Sequence, residues 1–282
     1  MTTDKTITES FYRELDTSRL IDQVEGSPSG LPEDRFTAVW VSPEDSALAD
    51  PIIKAEAFLF PEIPKIVSKY LGRCSLLGIL DPRERNQPLV YAARFSHYTP
   101  CEGGVEPYPG WATGLPLVDD IIANNPGYSE DKFRVFCRER NINPNLSIFS
   151  ETLFRIKSVG ELQGFKPSDI GYFATLESIL TKDIIRNQVQ NGLPAVFAHF
   201  NDASRASVAR IGAEIENLGY GLRTPTLGGG YDNEYTPSVM PPSRRNLEYF
   251  DNINTALGEL GLMPNIVDLR LSSNTHTSSE AA

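Results

Sequence analysis

Residues 168–220, SDIGYFATLESILTKDIIRNQVQNGLPAVFAHFNDASRASVARIGAEIENLGY, carry the most regular hydrophobic pattern of the chain. Ser168 can cap a helix over residues 168–191, in which apolar side chains recur at helical spacing. Residues 193–200 form a nearly continuous apolar run, which is typical of a strand buried on both faces. Residues 202–218 again place apolar side chains on one helical face. The stretch therefore predicts an α/β layer in which helices cover a sheet.

Shorter elements precede this stretch. Residues 36–41, FTAVWV, are rich in β-branched and aromatic side chains and predict a strand. Residues 42–45, SPED, place acidic groups where the dipole of a following helix favours them. The apolar runs 75–80 and 88–95 flank a polar turn, which predicts an antiparallel hairpin. Residues 147–158 alternate well enough to predict one more strand.

The two ends of the chain differ in composition from the part between them. Residues 8–24 can form a short helix, but residues 26–30, GSPSG, follow as a linker, so we expect residues 1–33 to be a flexible segment. Residues 272–282 are rich in Ser and Thr and contain no large apolar side chain, which predicts a disordered tail. Between them, residues 34–271 are predicted to form a single α/β domain.

Composition excludes several classes of function. The 282 residues include 26 basic and 37 acidic side chains, a formal net charge of −11, which disfavours binding to nucleic acid and to anionic membranes. No apolar stretch approaches the ~20 residues that a membrane span requires, and the N-terminus lacks the apolar core of a signal peptide. The three cysteines form neither a disulfide framework nor a zinc pattern. We therefore expect a soluble, cytoplasmic protein without a metal site.

A family resemblance rests on four features of the chain. An early helical segment carries Phe58 and Phe60, and the second hairpin strand, YAARF, carries Arg94. A later strand, ETLFR, carries Glu151 and Arg155, and the final helix ends in Leu-Gly-Tyr at residues 218–220. In this order the elements resemble the GNAT superfamily of acyltransferases over residues 35–228. Within it, the acyl-homoserine-lactone synthases and the long-chain N-acyl amino acid synthases look nearest.

The resemblance implies a fold and an activity. The fold would be a mixed, mostly antiparallel central sheet with helices on both faces. The activity would be transfer of an acyl group from a CoA or carrier-protein thioester to a small-molecule amine, without a tightly bound cofactor. Two alternatives remain open: a non-catalytic small-molecule-binding or regulatory protein on the same fold, and an enzyme of an unrelated α/β fold.

Three side chains are candidates for acid–base catalysis. Glu151 lies mid-strand among apolar neighbours that would raise its pKa, as a general base requires; it can equally face outward and pair with a cation. Tyr220 follows the last predicted helix, where many GNAT enzymes place an acid, but it can also lie at the edge of the core. His199, in an apolar strand, is either a general base or a core histidine.

Five further residues are candidates for binding. Arg94 can bind a carboxylate or phosphate through its planar fork, or form an ion pair with Glu102 or Asp81. The resemblance adds Arg155, and it places a phosphate-binding turn near Gly171 at a helix N-terminus. Asp232 and Glu234, predicted to lie in a glycine- and tyrosine-rich flap over residues 227–235, are candidate contacts for an amine.

The two strands that carry the main candidates are predicted to be neighbours. In the GNAT arrangement the second hairpin strand lies beside the strand of residues 147–158. We therefore expect Glu151 and Arg94 to converge on one cleft, with Tyr220 and His199 near its mouth.

Overall fold

A computed structural model of the protein describes residues 9–59, 74–97, 130–143, 146–180, 192–200, 205–206, 214–217, 222–225 and 231–270. The helices in these ranges are α1 (Glu9–Glu14), α2 (Ser18–Glu25), α3 (Ser46–Leu59), α4 (Glu130–Glu139), α5 (Pro167–Ile179) and α6 (Arg244–Glu259). The strands are β1 (Thr37–Val41), β2 (Cys74–Leu80), β3 (Leu89–His97), β4 (Ile148–Arg155), β5 (Val196–Phe200), β6 (Glu216–Asn217), β7 (Leu222–Pro225), β8 (Tyr231–Met240) and β9 (Asn265–Asp268).

The strands form a mixed sheet in the order β6-β8-β5-β4-β3-β2-β1-β9, and β7 pairs with β8 outside this path. Strand β1 runs antiparallel to β2 and parallel to β9. Strand β5 runs parallel to β4 and antiparallel to β8, which is also antiparallel to β6 and β7. The predicted mixed, mostly antiparallel sheet is confirmed.

The predicted strands of the first half of the sheet are also confirmed. Strand β1 matches the run at residues 36–41, and helix α3 begins just after the predicted start signal, where the Asp45 carboxylate accepts a hydrogen bond from Leu48 N at 3.3 Å. Strands β2 and β3 are neighbours whose connecting turn is closed by a hydrogen bond from Asp81 N to Pro88 O of 2.7 Å. These elements form because β-branched and aromatic runs suit a pleated, buried surface.

The chain divides into two compact units, and the single domain predicted over residues 34–271 stays a prediction. The first unit comprises the described residues within 5–95, 152–175 and 262–282, and the second comprises those within 96–151 and 176–261. Strand β4 and helix α5 each contribute residues to both units.

Helices cover both faces of the sheet in the first unit. A Cβ added to Gly78 of β2 would lie 3.4 Å from Ile52 Cδ1 of α3, so that face of β2 is covered by α3. The next residue of the strand, Ile79, points to the opposite face. There a Cβ added to Gly171 of α5 would lie 3.9 Å from Ile79 Cγ1. The prediction of helices on both faces is therefore confirmed for this unit.

The N-terminal region contributes to the core through the helices α1 and α2, which lie within the segment of residues 1–33 that the sequence predicts to be flexible. Four of their region's side chains are at most 3% exposed: Tyr12, Leu15, Leu20 and Val24. They belong to one hydrophobic cluster, called here the core cluster, with residues of α3, β1, β2, β3, β4 and β9. The turn between β2 and β3 holds the segment, since Gln87 bonds to Leu15 O and to the Thr17 hydroxyl. Ordering this segment costs conformational entropy. Burial of the four apolar side chains offsets that cost.

In the second unit, the predicted strand of residues 193–200 is present as β5, whose Val196, Phe197 and Ala198 are buried. The helix predicted over residues 202–218 does not reach its predicted end, because Glu216–Asn217 is strand β6. The backbone of Glu214 is bonded in both directions to the Asn246 side chain, at 2.6 Å and 3.1 Å. The N–H and C=O groups of Glu214 are therefore bonded to a side chain and not to the backbone of a helix. For this reason the amphipathic pattern of residues 202–218 does not continue as a helix to its predicted end.

Two elements of the C-terminal part lie outside the predicted pattern. Helix α6 begins at a Ser243 cap, whose hydroxyl accepts from Asn246 N at 3.2 Å. Strand β9 adds a parallel partner to β1 and buries Val267. The predicted tail at residues 272–282 lies outside the described residues. Within the ranges that the structure describes, no helix has the length and apolar character of a membrane span.

Candidate functional site

Helix α3 carries a carboxylate into the core of the first unit. Ile52, Glu56 and Leu59 are spaced i, i+4 and i+7, so they share one face of the helix. Ile52 and Leu59 belong to the core cluster, and Glu56 is only 2% exposed. A carboxylate at such a position requires a partner, because an unpaired buried charge is costly.

Strand β3 brings a guanidinium to the same face. Ala92 belongs to the core cluster, and Arg94, two residues further on, points to the same side of the strand. The intervening and following side chains face the other way, where Phe95 packs on Trp40 with ring centroids 5.4 Å apart. Arg94 is 4% exposed, so its charge is as deeply buried as that of Glu56.

Strand β4 supplies the third member through Thr152, which is also buried. Its hydroxyl donates to Glu56 Oε1 at 2.5 Å, and Arg94 Nε lies 3.2 Å from the same oxygen. One helix and two strands therefore bring a carboxylate, a guanidinium and a hydroxyl together. This group is called the Glu56–Arg94–Thr152 cluster below.

The cluster leaves hydrogen-bonding capacity unused. Although Arg94 Nε is within ion-pair distance of Glu56, no group in the described part of the chain accepts a well-aligned hydrogen bond from Nε or from Nη2. Buried donors are nearly always paired in folded proteins, by protein or by water. The cluster therefore has donors available for an oxygen that the described chain does not supply.

Sequence comparison with known proteins finds no match for this chain. No protein-family model matches the chain, and no curated protein matches it. Solved structures do match. Among them are three structures of CoA-dependent acyl-homoserine lactone synthases.

Two of these structures are of BjaI, and the first of them holds SAM and isopentyl-CoA. Its sequence is 11% identical to this chain and the TM-score is 0.41. The match covers 83% of this chain and 92% of the BjaI chain. The second, with MTA, is 10% identical with a TM-score of 0.39 and the same coverage. A structure of MesI is 10% identical with a TM-score of 0.34, over 77% of this chain and 95% of that one. The matching structures thus belong to the family that the sequence resembles. A likeness at these identities and TM-scores does not extend to what this chain binds or catalyses.

Among the predicted site residues, Arg94 is the one that the structure places in a buried charged cluster. Its partner is Glu56, rather than Glu102 or Asp81 as considered from the sequence. Asp81 is instead bound through two oxygens by Arg83, at 2.8 Å and 2.9 Å. Arg83 also donates to the backbone oxygens of Gly160 and Glu161, so that pair fastens a turn.

The acid–base candidates are only partly described. Glu151 lies on β4, immediately before Thr152, and His199 lies on β5, but the side chains of both lie outside the described part of the structure. Tyr220 lies outside the described residues altogether. Strands β3 and β4, which carry Arg94 and Glu151, are neighbours in the sheet, and the convergence of the two side chains on one cleft stays a prediction. Their roles stay predictions.

Asp232 and Glu234 lie on strand β8, which corrects the prediction of a flap at this point. Strand β8 pairs with β7 through Arg223↔Glu234 and with β5 further along. The residues that follow the glycines are extended because strand β7 supplies hydrogen-bond partners for their backbone groups. The side chains of Asp232 and Glu234 lie outside the described part, so their contact with an amine stays a prediction.

Gly171 has a packing role that the sequence did not indicate. A Cβ at this position would lie 3.1 Å from Tyr91 Cε1, so the glycine lets the Tyr91 ring approach helix α5 closely. The amides of Asp169 and Ile170 already donate to Lys166 O, and the Asp169 carboxylate accepts from Lys166 N. This N-terminus, occupied by its own acidic side chain, does not favour a phosphate.

Arg155 is exposed at the end of β4 and acts electrostatically on Tyr91. Burial raises the pKa of Tyr91 above its ordinary value; Arg155 opposes this rise and Asp169 adds to it. A role of Arg155 in substrate binding stays a prediction.

Metal ligation and thiol chemistry find no support in the described ranges. There, no group of three or more His, Cys, Asp or Glu side chains is arranged to hold a metal ion. Burial raises the pKa of the Cys137 thiol to about 12, with only partial opposition from Arg140. Cys137 is accordingly a protonated core side chain rather than a nucleophile.

Glu56 and Thr152 are the residues that sequence reasoning missed. A signal for Glu56 is present, since it occupies a position on the apolar face of α3, four residues after Ile52, where a carboxylate is rarely buried without a partner. Thr152 gives no such signal, because threonine is ordinary in a strand. Its contact with Glu56 joins residues 96 positions apart in the sequence.

Proposed function

We propose that this protein is an N-acyltransferase that moves an acyl group from a CoA or carrier-protein thioester to a small-molecule amine. The observation that supports it most directly is the buried Glu56–Arg94–Thr152 cluster, which has cationic donors available for an oxygen. A second feature is consistent with it. The parallel register of β4 and β5 ends at Ser150↔Ala198 within the described backbone, although β4 continues to Arg155. Backbone N–H groups beyond that point are suited to polarise a carbonyl.

The proposed reaction is an aminolysis. The amine nitrogen attacks the thioester carbonyl carbon, a C–N bond forms, and the C–S bond breaks. A base removes one proton from the attacking nitrogen, and a proton is delivered to the departing thiolate, so the products are an amide and a thiol. Negative charge appears on the carbonyl oxygen between these steps, and donors placed beforehand at that oxygen lower the barrier.

The roles of individual residues are part of the proposal. Glu151, adjacent to Thr152 on β4, would take the proton from the amine, and Tyr220 or His199 would deliver one to the thiolate. Arg94 would bind the acyl donor. Arg155, Asp232 and Glu234 would contact the charged ends of the two substrates. Of the candidates, Gly171 is the least favoured, because Tyr91 occupies the space beside it.

The decisive experiment has two stages. Untargeted mass spectrometry of a plain host that expresses the protein should reveal N-acyl products that are missing from the empty host. The purified protein should then release thiol from the matching acyl-CoA or acyl-carrier protein only when the amine is present. Glu151→Gln should lower that rate by ~10²–10⁴, while the exposed Glu14→Gln leaves it unchanged.

The alternative is a non-catalytic binding protein, and one observation favours it. Glu56, the carboxylate of the cluster, is already engaged by Thr152 and Arg94 and is not available as a base. If no thioester is cleaved and Glu151→Gln has no effect, the acyltransferase proposal fails and the binding protein takes its place.

A further inference from the structure

The Glu56–Arg94–Thr152 cluster is electrically balanced. One carboxylate and one guanidinium lie 3.2 Å apart, and both side chains are at most 5% exposed. A second anion placed on Arg94 would leave excess negative charge beside Glu56 in a region that water does not screen. Arg94 considered alone would favour a phosphate or carboxylate ligand, but the cluster as a whole is poorly suited to bind either anion.

An uncharged oxygen fits the same donors. Nε–H and Nη2–H project from one edge of the planar guanidinium, so a single oxygen can accept from both. A carbonyl oxygen satisfies these donors without adding charge in the resting state. A hydrogen bond from a charged donor is roughly twice as strong as a neutral one, so the carbonyl would be bound firmly and polarised.

The orientation of Arg94 depends on two other side chains. Glu56 Oε1 lies beside Nε, and the Thr152 hydroxyl donates to that same oxygen at 2.5 Å. The hydroxyl therefore limits where the carboxylate can lie, and the carboxylate limits where the guanidinium can lie. Thr152 does not touch the free donors and acts on them through Glu56.

We propose that Glu56 and Thr152 are positioning residues that hold Arg94 so that its free donors bind the thioester carbonyl oxygen of the acyl donor. This inference rests on the proposed function, because that function supplies the thioester. It assigns to Arg94 an uncharged ligand group, and it gives Thr152 a role in recognising the acyl donor.

The test compares two probes that differ at one group. Octanoyl-pantetheine carries the thioester carbonyl and the pantetheine arm common to CoA and carrier proteins, whereas S-octyl-pantetheine is the thioether without the carbonyl. Calorimetric titration of the full-length wild type should show at least ~10-fold tighter binding of the thioester, as expected for a charge-assisted hydrogen bond. Thr152→Val and Arg94→Lys should reduce the preference below ~3-fold, and Thr152→Ser should restore it.

The matched control is Thr175→Val. Thr175 is also a buried threonine of the first unit, and its hydroxyl donates to Gly171 O at 2.7 Å, within helix α5. The ratio of the two affinities should not change in this variant, even if its thermal stability falls. A general loss of stability therefore does not imitate the expected result.

Three outcomes would overturn the inference: equal affinity of the wild type for both probes, no binding of either, or competition by inorganic phosphate that Arg94→Lys abolishes. Equal affinity would mean that water alone occupies the donors. The failure of the inference and the failure of the proposed function give different results in this experiment. If the protein binds the thioester more tightly but shows no turnover, the inference is supported and the transferase proposal is contradicted. If it shows turnover but binds both probes with equal affinity, the transferase proposal is supported and the inference is contradicted.

Discussion

At the scale of single residues, Glu56 and Arg94 form a charge pair that is buried in the first unit. Each charge is tolerable in the core only because the other is present. Replacing Glu56 by Met removes one charge and leaves Arg94 buried alone, which should cost ~3–5 kcal/mol in the free energy of unfolding. The double variant Glu56→Met/Arg94→Met should be more stable than Glu56→Met, because no charge is then left unpaired.

Chemical denaturation of the four proteins in this cycle measures the coupling directly. The exposed Glu14→Met serves as the control and should change the free energy of unfolding by less than ~0.5 kcal/mol. If the double variant loses as much free energy of unfolding as Glu56→Met and Arg94→Met lose together, the two side chains do not interact.

At the scale of elements, helices α1 and α2 brace α3. Phe11 stacks on Phe58 of α3 with ring centroids 4.1 Å apart, and Leu20 is buried in the core cluster together with Ile52. Lys157 Nζ lies 4.7 Å from the ring of Tyr12 and 2.6 Å from the Glu84 carboxylate, which ties the N-terminal segment to the hairpin turn. Since α3 carries Glu56, the N-terminal helices also support the candidate site.

Leu20→Ala should therefore destabilise the protein by ~2–5 kcal/mol, the usual cost of a leucine-sized cavity in a core. The neighbouring Arg19→Ala, on the exposed side of the same helix, should change stability by less than ~0.5 kcal/mol. Equal effects of the two substitutions in urea denaturation would mean that α2 does not pack on the core.

At the scale of the whole molecule, the C-terminal strand closes one edge of the sheet. Strand β9 pairs with β1 over four residues, and Val267 of this strand and Leu269 just after it belong to the core cluster. Arg270 reinforces this edge, since it binds Asp268 and lies 4.7 Å from the Trp40 ring centroid. Burial alone would raise the pKa of Asp268, but the hydrogen bonds and charge of Arg270 outweigh it and leave that pKa below its ordinary value.

Two truncations separate the strand from the segment that follows it. Removing residues 272–282 should shift the thermal midpoint by less than ~2 °C, because their composition supports no packing. Removing residues 264–282 should lower it by more than ~5 °C, because β9 and two buried side chains are lost as well. Scanning calorimetry measures both, and equal midpoints would show that β9 contributes nothing to the core.

The sequence by itself determined those features that depend on neighbours along the chain. Apolar runs, β-branched composition and alternation are local, so β1, the β2–β3 hairpin, β4 and β5 were predictable from them, and Arg94 stood out as a charge inside an apolar strand. The resemblance to acyltransferases also rests on the order of these local elements.

Tertiary structure alone decided which distant residues meet. The partner of Arg94 is 38 positions away on α3, at Glu56, and Thr152 comes from a third element. The N-terminal helices are ordered because β2, β3 and α3 offer them an apolar surface, and Glu214 leaves the helical pattern because Asn246 takes its backbone hydrogen bonds. Local periodicity carries no record of such contacts, since burial and charge pairing are settled only when the whole sheet is assembled.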